Sequence, residues 1–169
     1  MSDAQVFKQG MRRVSGAVTV VTTRGPGGER RGVTATAVCS LSADPPSVVA
    51  CIHRNASVGQ LAPVSGVFCV NVLSTDQQDV AETFAGRTGH VGEDRFGVGE
   101  WSELASGAPV LDGALASFDC RLQRCVEFAS HVLLIGEVER AVVTTDPGRP
   151  LIYVEGAFTT SVLPEDKGA

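Results

Sequence analysis

Hydrophobic and polar positions alternate in short runs along most of the chain, and helical spacing shows in only a few places. In AQVFKQGMRRV, residues 4–14, Val6, Phe7, Met11 and Val14 fall near helical spacing and predict a short amphipathic helix. AVTVVTT, 17–23, is rich in β-branched residues and predicts a strand. RGPGGER supplies a Gly-Pro turn, and GVTATAVCSLSADPP, 32–46, returns as the partner, with a strand from Val33 to Cys39. SVVACIH, 47–53, predicts another strand after two prolines that cannot donate to a ladder. Asn55 and Ser57 are both able to cap a helix, which VGQLAPV begins and Pro63 is expected to end. VFCVNVL, 67–73, reads as a strand, and Asp76 as the cap of a helix DQQDVAETFA with Val80 and Phe84 on one face. Gly86 to Gly107 reads as a loop carrying Phe96 and Trp101, and three long β-like runs, ALASFDCRLQRCVEF, HVLLIGEVERAVV and LIYVEGAFTT, close the chain.

About seven strands and two or three short helices, without βαβ alternation, predict a mostly β, antiparallel architecture. A barrel is favoured over an open sheet because closure hides strand edges. No repeat or linker divides the chain, so one domain is expected over 1–169, with a core at about 5–161 and a frayed tail at 162–169. Hydrophobic residues at 43% and charged residues at 20% exclude wholesale disorder. The net charge of −5 argues against a nucleic-acid partner, and Arg30-Arg31 reads as a solvated hairpin tip. No run approaches the roughly 20 apolar residues that cross a bilayer, and MSDAQVFKQGMRR lacks the apolar core of a signal peptide, so the cytoplasm is expected and no membrane partner. The five cysteines form no C-x-x-C pair and read as reduced thiols packed as small hydrophobes; His53 and His90 lack ligand spacing, so no metal is expected.

The chemistry concentrates in GVTATAVCSLSADPP. Period two places Thr34, Thr36 and Val38 on one face and Val33, Ala35, Ala37 and Cys39 on the other, and Ser40 and Ser42 carry hydroxyls into the turn. Small side chains let a ligand approach the backbone, where hydroxyls and N–H groups bind carbonyls or phosphate without a charged clamp. Asn55-x-Ser57 at a helix start offers a second anion site. Each feature is also what plain strand formers and helix caps look like; composition alone reaches only an anionic, planar ligand. No G-x-S-x-G or G-x-G-x-x-G occurs, and GPGGERRG fails the spacing.

The order Phe7…Val14-Ser15-Gly16, VTVVTT, GVTATAVCSLSADPP, N-x-S, GVFCVNVL, FAG, RF, GAPVL, HVLLIGEV and PLIYVEGAF resembles the flavin reductase-like family, the small partner enzymes of two-component flavin monooxygenases, over roughly residues 5–161. The resemblance implies an FMN-binding split β-barrel of Greek-key type, a homodimer, and NAD(P)H-dependent hydride transfer to FMN or FAD. Reduced flavin then diffuses to a separate flavin-dependent monooxygenase. Carried onto this chain, the flavin contacts are Thr34, Ala35, Thr36, Ser40, Leu41, Asn55 and Ser57, with Phe84 and Arg87 at the end of DVAETFAGR. His131 is implied to orient the nicotinamide and Phe158 to stack. The family's usual Gly-Asp-His is Ala129-Ser130-His131 here, which puts nicotinamide binding in question. No Arg pair is placed for a 2′-phosphate, which favours NADH over NADPH. A flavin carrier or sensor without a nicotinamide site, and a split-barrel oxidoreductase using pyridoxine phosphate or a deazaflavin, are the alternatives.

Overall fold

The computed structural model describes residues 2–145 and 148–162; of the expected tail, 163–169 lies outside the described residues. Helix α1 (Asp3–Arg12) opens the chain, followed by β1 (Gly16–Ala17), β2 (Thr19–Arg24), β3 (Arg30–Ala35), β4 (Val38–Ala43) and β5 (Pro46–His53). Helix α2 (Ser57–Ser65), β6 (Val67–Val72) and α3 (Gln78–Phe84) follow, then the short strands β7 (Trp101–Glu103) and β8 (Pro109–Leu111). The long β9 (Ala116–Phe128) and β10 (His131–Val143) form a hairpin, and β11 (Leu151–Val154) and β12 (Ala157–Thr160) another.

Seven strands build one antiparallel sheet in the order β3-β2-β6-β9-β10-β5-β4, flanked by a three-stranded sheet β1-β11-β12 and the pair β7-β8. The expectation of a mostly β, antiparallel fold holds. The larger sheet is not closed by hydrogen bonds: β3 and β4, consecutive in sequence, sit at its opposite edges. This corrects the single strand expected over Val33–Cys39. The exposed pair Thr36-Ala37 carries the chain from one edge to the other, and Ala37 already accepts the Cys51 N–H at 2.8 Å as pairing with β5 begins. The period-two face assignment therefore ends at Ala35, because the two halves of the stretch answer to different neighbours.

β2 explains why AVTVVTT carries no charge: residues 18–23 are buried throughout. Val21 packs into the barrel interior with Val48, Ile52, Phe68, Val70 and Leu134. Val18 and Val20 face a second core with Leu73, Val80, Phe84, Phe96 and Leu151. With both faces covered, its buried threonines satisfy their hydroxyls on carbonyls, Thr23 Oγ1 donating to Val67 at 2.7 Å and Thr19 Oγ1 to Ala35 at 2.7 Å.

Five local readings change. Helix α2 runs through Pro63 and stops at Gly66, whose φ of 73° and N–H bond to Ala62 at 2.9 Å terminate it. A mid-helix proline costs about 3 kcal/mol. Seating fully buried Val58 and Ala62 against the barrel interior is worth a comparable amount. Ala56 occupies the N-cap of α2 rather than Asn55 or Ser57, and Asp76 lies within a 3-10 turn, Thr75–Gln77, that Ser74 caps. LIYVEGAFTT is two strands turned by Glu155 (φ 51°) and Gly156 (φ 85°), a left-handed pair that suits a two-residue hairpin. The segment from Gly86 to Gly107 contains a 3-10 turn over Gly92–Gly97 and strand β7.

Gly136 lets β10 pass Phe68: a Cβ there would stand 2.5 Å from the Phe68 ring and 2.9 Å from the Cys120 Cβ. Gly136→Ala is expected to lower unfolding free energy by about 1–3 kcal/mol, seen as a lower urea midpoint with an unchanged slope.

Candidate functional site

Three segments distant in sequence meet at the exposed edge of β3. Thr34, Ala35 and Thr36 form one wall of a cavity of about 200 Å³, Ala85 and Arg87 close it beyond the end of α3, and Tyr153 and Phe158 close it from the last hairpin, over Val18. Within the sheet β3 pairs with β2 alone, so its other edge carries no neighbouring strand.

Local packing sets this geometry. Thr34 Oγ1 donates to the Ala81 carbonyl at 2.7 Å and ties α3 to β3. Beneath it, the Phe84 ring lies where a side chain on Gly32 would begin, 2.4 Å from an ideal Cβ. Phe84 is 1% exposed and packs against Phe96 and Trp101 at centroid distances of 5.1 and 5.3 Å. It is thus a core residue that seats α3, and it does not itself line the cavity. On the other side, Gly16 allows β1 to approach Thr36, whose Cβ would be 2.9 Å from a Cβ at that glycine.

Arg87 is the cation of the cavity. Its Nη2 donates to the Tyr153 hydroxyl at 3.5 Å and its Nη1 to Glu82 at 3.2 Å. The guanidinium lies 5.7 Å from the Phe158 ring centroid and 6.0 Å from that of Tyr153, and the two rings meet edge to face at 5.3 Å. The Tyr153 hydroxyl and then Glu82 raise the Arg87 pKa above its ordinary value. A neighbouring recess of about 720 Å³ shares Thr36 and Tyr153 with this cavity and is walled by α1.

Five of the expected residues, Thr34, Ala35, Thr36, Arg87 and Phe158, therefore line one cavity. The others lie elsewhere. Ser57 borders a separate hollow of about 180 Å³ with Arg31 and Gln60. Asn55 is exposed and its backbone N–H bonds His53 Nδ1 at 3.2 Å. Ser40 faces an apolar cavity of about 380 Å³ at the barrel mouth, beside Val48, Val70 and Phe118, and Leu41 is 54% exposed at a break in the β4–β5 register. His131 opens β10 on the surface, with its ring 5.2 Å from that of His53, its cross-strand partner, and its Nδ1 2.9 Å from Ser130 Oγ. Ala129 has φ 49°, a conformation glycine adopts without strain, at the position where the resemblance has glycine.

Tyr153 and Ala85, which line the cavity, escaped the sequence reading. Tyr153 was detectable: once Glu155-Gly156 is read as a turn, Tyr153 and Phe158 become directly opposed. Arg30 and Arg31 are half-buried strand residues, not a solvated tip. Arg30 bonds Glu93 at 2.6 Å, lies 4.7 Å over the Phe96 ring, and holds the Glu93 carboxyl below its ordinary pKa. Cys69 and Cys120 are buried as expected, and burial followed by the nearby Asp119 charge pushes both thiols up, Cys120 to about 12; Cys39 and Cys125 are exposed instead. Among the described residues no three His, Cys, Asp or Glu side chains cluster as metal ligands, and no helix is long and apolar enough to cross a membrane.

The chain is 42% identical over 132 residues to an FMN reductase (NADH), RutF, of Ancylobacter novellus, covering 78% of this chain and 71% of that protein. It is 41% identical over 154 residues to the reductase component of a 4-hydroxyphenylacetate 3-monooxygenase of Pseudomonas aeruginosa, covering 91% and 89%. Its backbone matches an NADH:FAD oxidoreductase of Streptomyces globisporus, solved in complex with NAD and FAD fragments, with a TM-score of 0.84 and 29% identity over 98% of this chain and 96% of that one. The flavin reductase like domain model matches residues 11–161, and the chain belongs to the flavin reductase-like family.

Proposed function

We propose that this chain is an NAD(P)H-dependent flavin reductase, one domain over residues 1–169, that passes diffusible reduced flavin to a separate monooxygenase. The observation that carries this reading is the cavity in which Thr34–Thr36 face Arg87 and the Tyr153–Phe158 pair. Flavin and nicotinamide supply the redox chemistry themselves: NADH and a proton reduce oxidised FMN or FAD, leaving NAD⁺ and the two-electron-reduced flavin. The residues present fit such a ligand. Ala35 and Ala85 keep the slot shallow, Thr36 and the open edge of β3 offer polar groups, Tyr153 and Phe158 offer an aromatic wall, and Arg87 offers positive charge for a phosphate. Ser40, Leu41, Asn55 and Ser57 extend this binding surface in the proposal, Phe158 stacks, and His131 orients the nicotinamide. NADH is the preferred donor.

A homodimer in the cytoplasm completes the proposal. The outer face of the β9–β10–β5 region sets Val126, Leu133 and Cys51 side by side, with Ile135 and Val49 in the next row and Phe128, 77% exposed, at its end. An apolar face of that kind suits a second copy. The activity is tested by NADH consumption with FMN and with FAD as acceptors under air-free conditions. Turnover with at least one of them is expected; no turnover with either removes the enzymatic reading and leaves a carrier. His131→Ala is expected to raise the KM for NADH about tenfold, roughly the worth of one charge-assisted hydrogen bond, with the flavin KM little changed.

A further inference from the structure

Helix α1 has no buried residue, yet it carries a continuous apolar seam. Phe7, Met11 and Val14, at spacings of four and three, are 67%, 50% and 60% exposed, and all three line the 720 Å³ recess. Beside them Lys8 and Arg12, also four apart, line the same recess. Like charges at that spacing repel on a helix, and among the described residues Lys8 makes no ion pair. Arg12 uses one of its N–H groups on the Glu155 carbonyl at 3.3 Å, and a guanidinium has five. Among the described residues, the recess and the Thr34–Thr36 cavity together are lined by Lys8, Arg12 and Arg87 and by no acid, in a chain whose net charge is −5. That local reversal of sign favours an anion.

We infer that this recess takes the adenosine diphosphate end of a dinucleotide whose redox-active end lies in the Thr34–Thr36 cavity, an inference that rests on the flavin reductase reading. Phe7 and Met11 supply an apolar surface for a purine, and Lys8 and Arg12 supply charge for the diphosphate. Thr36 and Tyr153, common to both cavities, mark where one extended molecule passes between them. FAD and NADH both carry such an end, and FMN lacks it.

The test compares the purified full chain with Lys8→Glu and Lys8→Arg. Flavin affinity is read by fluorescence quenching for FAD and FMN, and KM is read for NADH and for reduced nicotinamide mononucleotide. Reversal of one exposed charge beside a diphosphate is expected to weaken binding roughly tenfold, and Lys8→Arg is expected to restore it. If FAD weakens while FMN moves less than twofold, the recess holds the flavin's tail. If the KM for NADH rises while that for the mononucleotide does not, it holds the nicotinamide's tail. Equal weakening of FAD and FMN with NADH unmoved, or changes below twofold throughout, overturns the inference; in the latter case a shift in assembly size by light scattering assigns α1 to contact between copies. A wild-type protein that binds flavin without oxidising NADH removes the enzymatic reading, and the FAD–FMN comparison still decides this one. Binding of neither flavin removes both.

Discussion

Replacing Arg87 with alanine is expected to raise the flavin Kd and to lower kcat/KM for flavin by about tenfold to a hundredfold, the range of a charge-assisted hydrogen bond lost from a binding site. Among the described residues, Arg87 is the only charged one lining the Thr34–Thr36 cavity. Its removal takes away the cation itself, the donor to the Tyr153 hydroxyl and the planar group lying near both aromatic rings. Arg87→Lys restores charge without a flat, forked donor, so it should recover only part of the loss. Because Arg87 is exposed, the wild-type affinity should also fall as salt is added and the alanine variant should respond less. Fluorescence titration at two ionic strengths checks both expectations. A folded Arg87→Ala protein with wild-type flavin affinity places the flavin elsewhere on the molecule.

The second large effect is expected far from any ligand. Asn71 is fully buried in β6 and joins four elements. Its Nδ2 donates to the Val20 carbonyl at 3.1 Å and to Thr22 Oγ1 at 3.5 Å, while its Oδ1 accepts from the Leu111 N–H and from Ser117 Oγ, both at 2.9 Å. Asn71→Leu keeps a similar volume but strands these partners away from water. Each unsatisfied buried group costs about 1–3 kcal/mol, so a loss of about 3 kcal/mol or more is expected. That is a large part of a typical domain's stability of about 5–15 kcal/mol. Ser117→Ala, which removes only one of these bonds, should cost only about 1 kcal/mol. Urea unfolding of the two variants checks the ratio; equal losses would mean that the bond to Ser117 carries the whole effect and that Asn71 is not a hub.

Dense β-branched runs made β2, β5 and β6 legible, since buried strands of that composition have few alternatives. The hydroxyl-rich stretch after Gly32 and the Phe158 region were likewise singled out, and five of the residues named there and at Arg87 share one cavity. The surroundings of Phe84 were not legible, because a phenylalanine at the end of an amphipathic helix looks the same whether it faces a ligand or a glycine across the core; its ring lies against Gly32. Tyr153 was hidden inside a run read as continuous, because a left-handed pair at Glu155-Gly156 carries only one glycine to announce it.

The residue pattern by itself determined the all-antiparallel class, most strand positions, the apolar seam of α1 and the small-hydroxyl character of the site wall, because each depends on spacing or side-chain size within a few neighbours. Only the folded chain decided that β3 and β4 part at Thr36-Ala37 to opposite sheet edges, that α2 persists through Pro63, and that Arg87 stands beside a hairpin more than sixty residues away. Those outcomes are settled by which distant surfaces bury one another, and burial between segments leaves no periodic trace in either one.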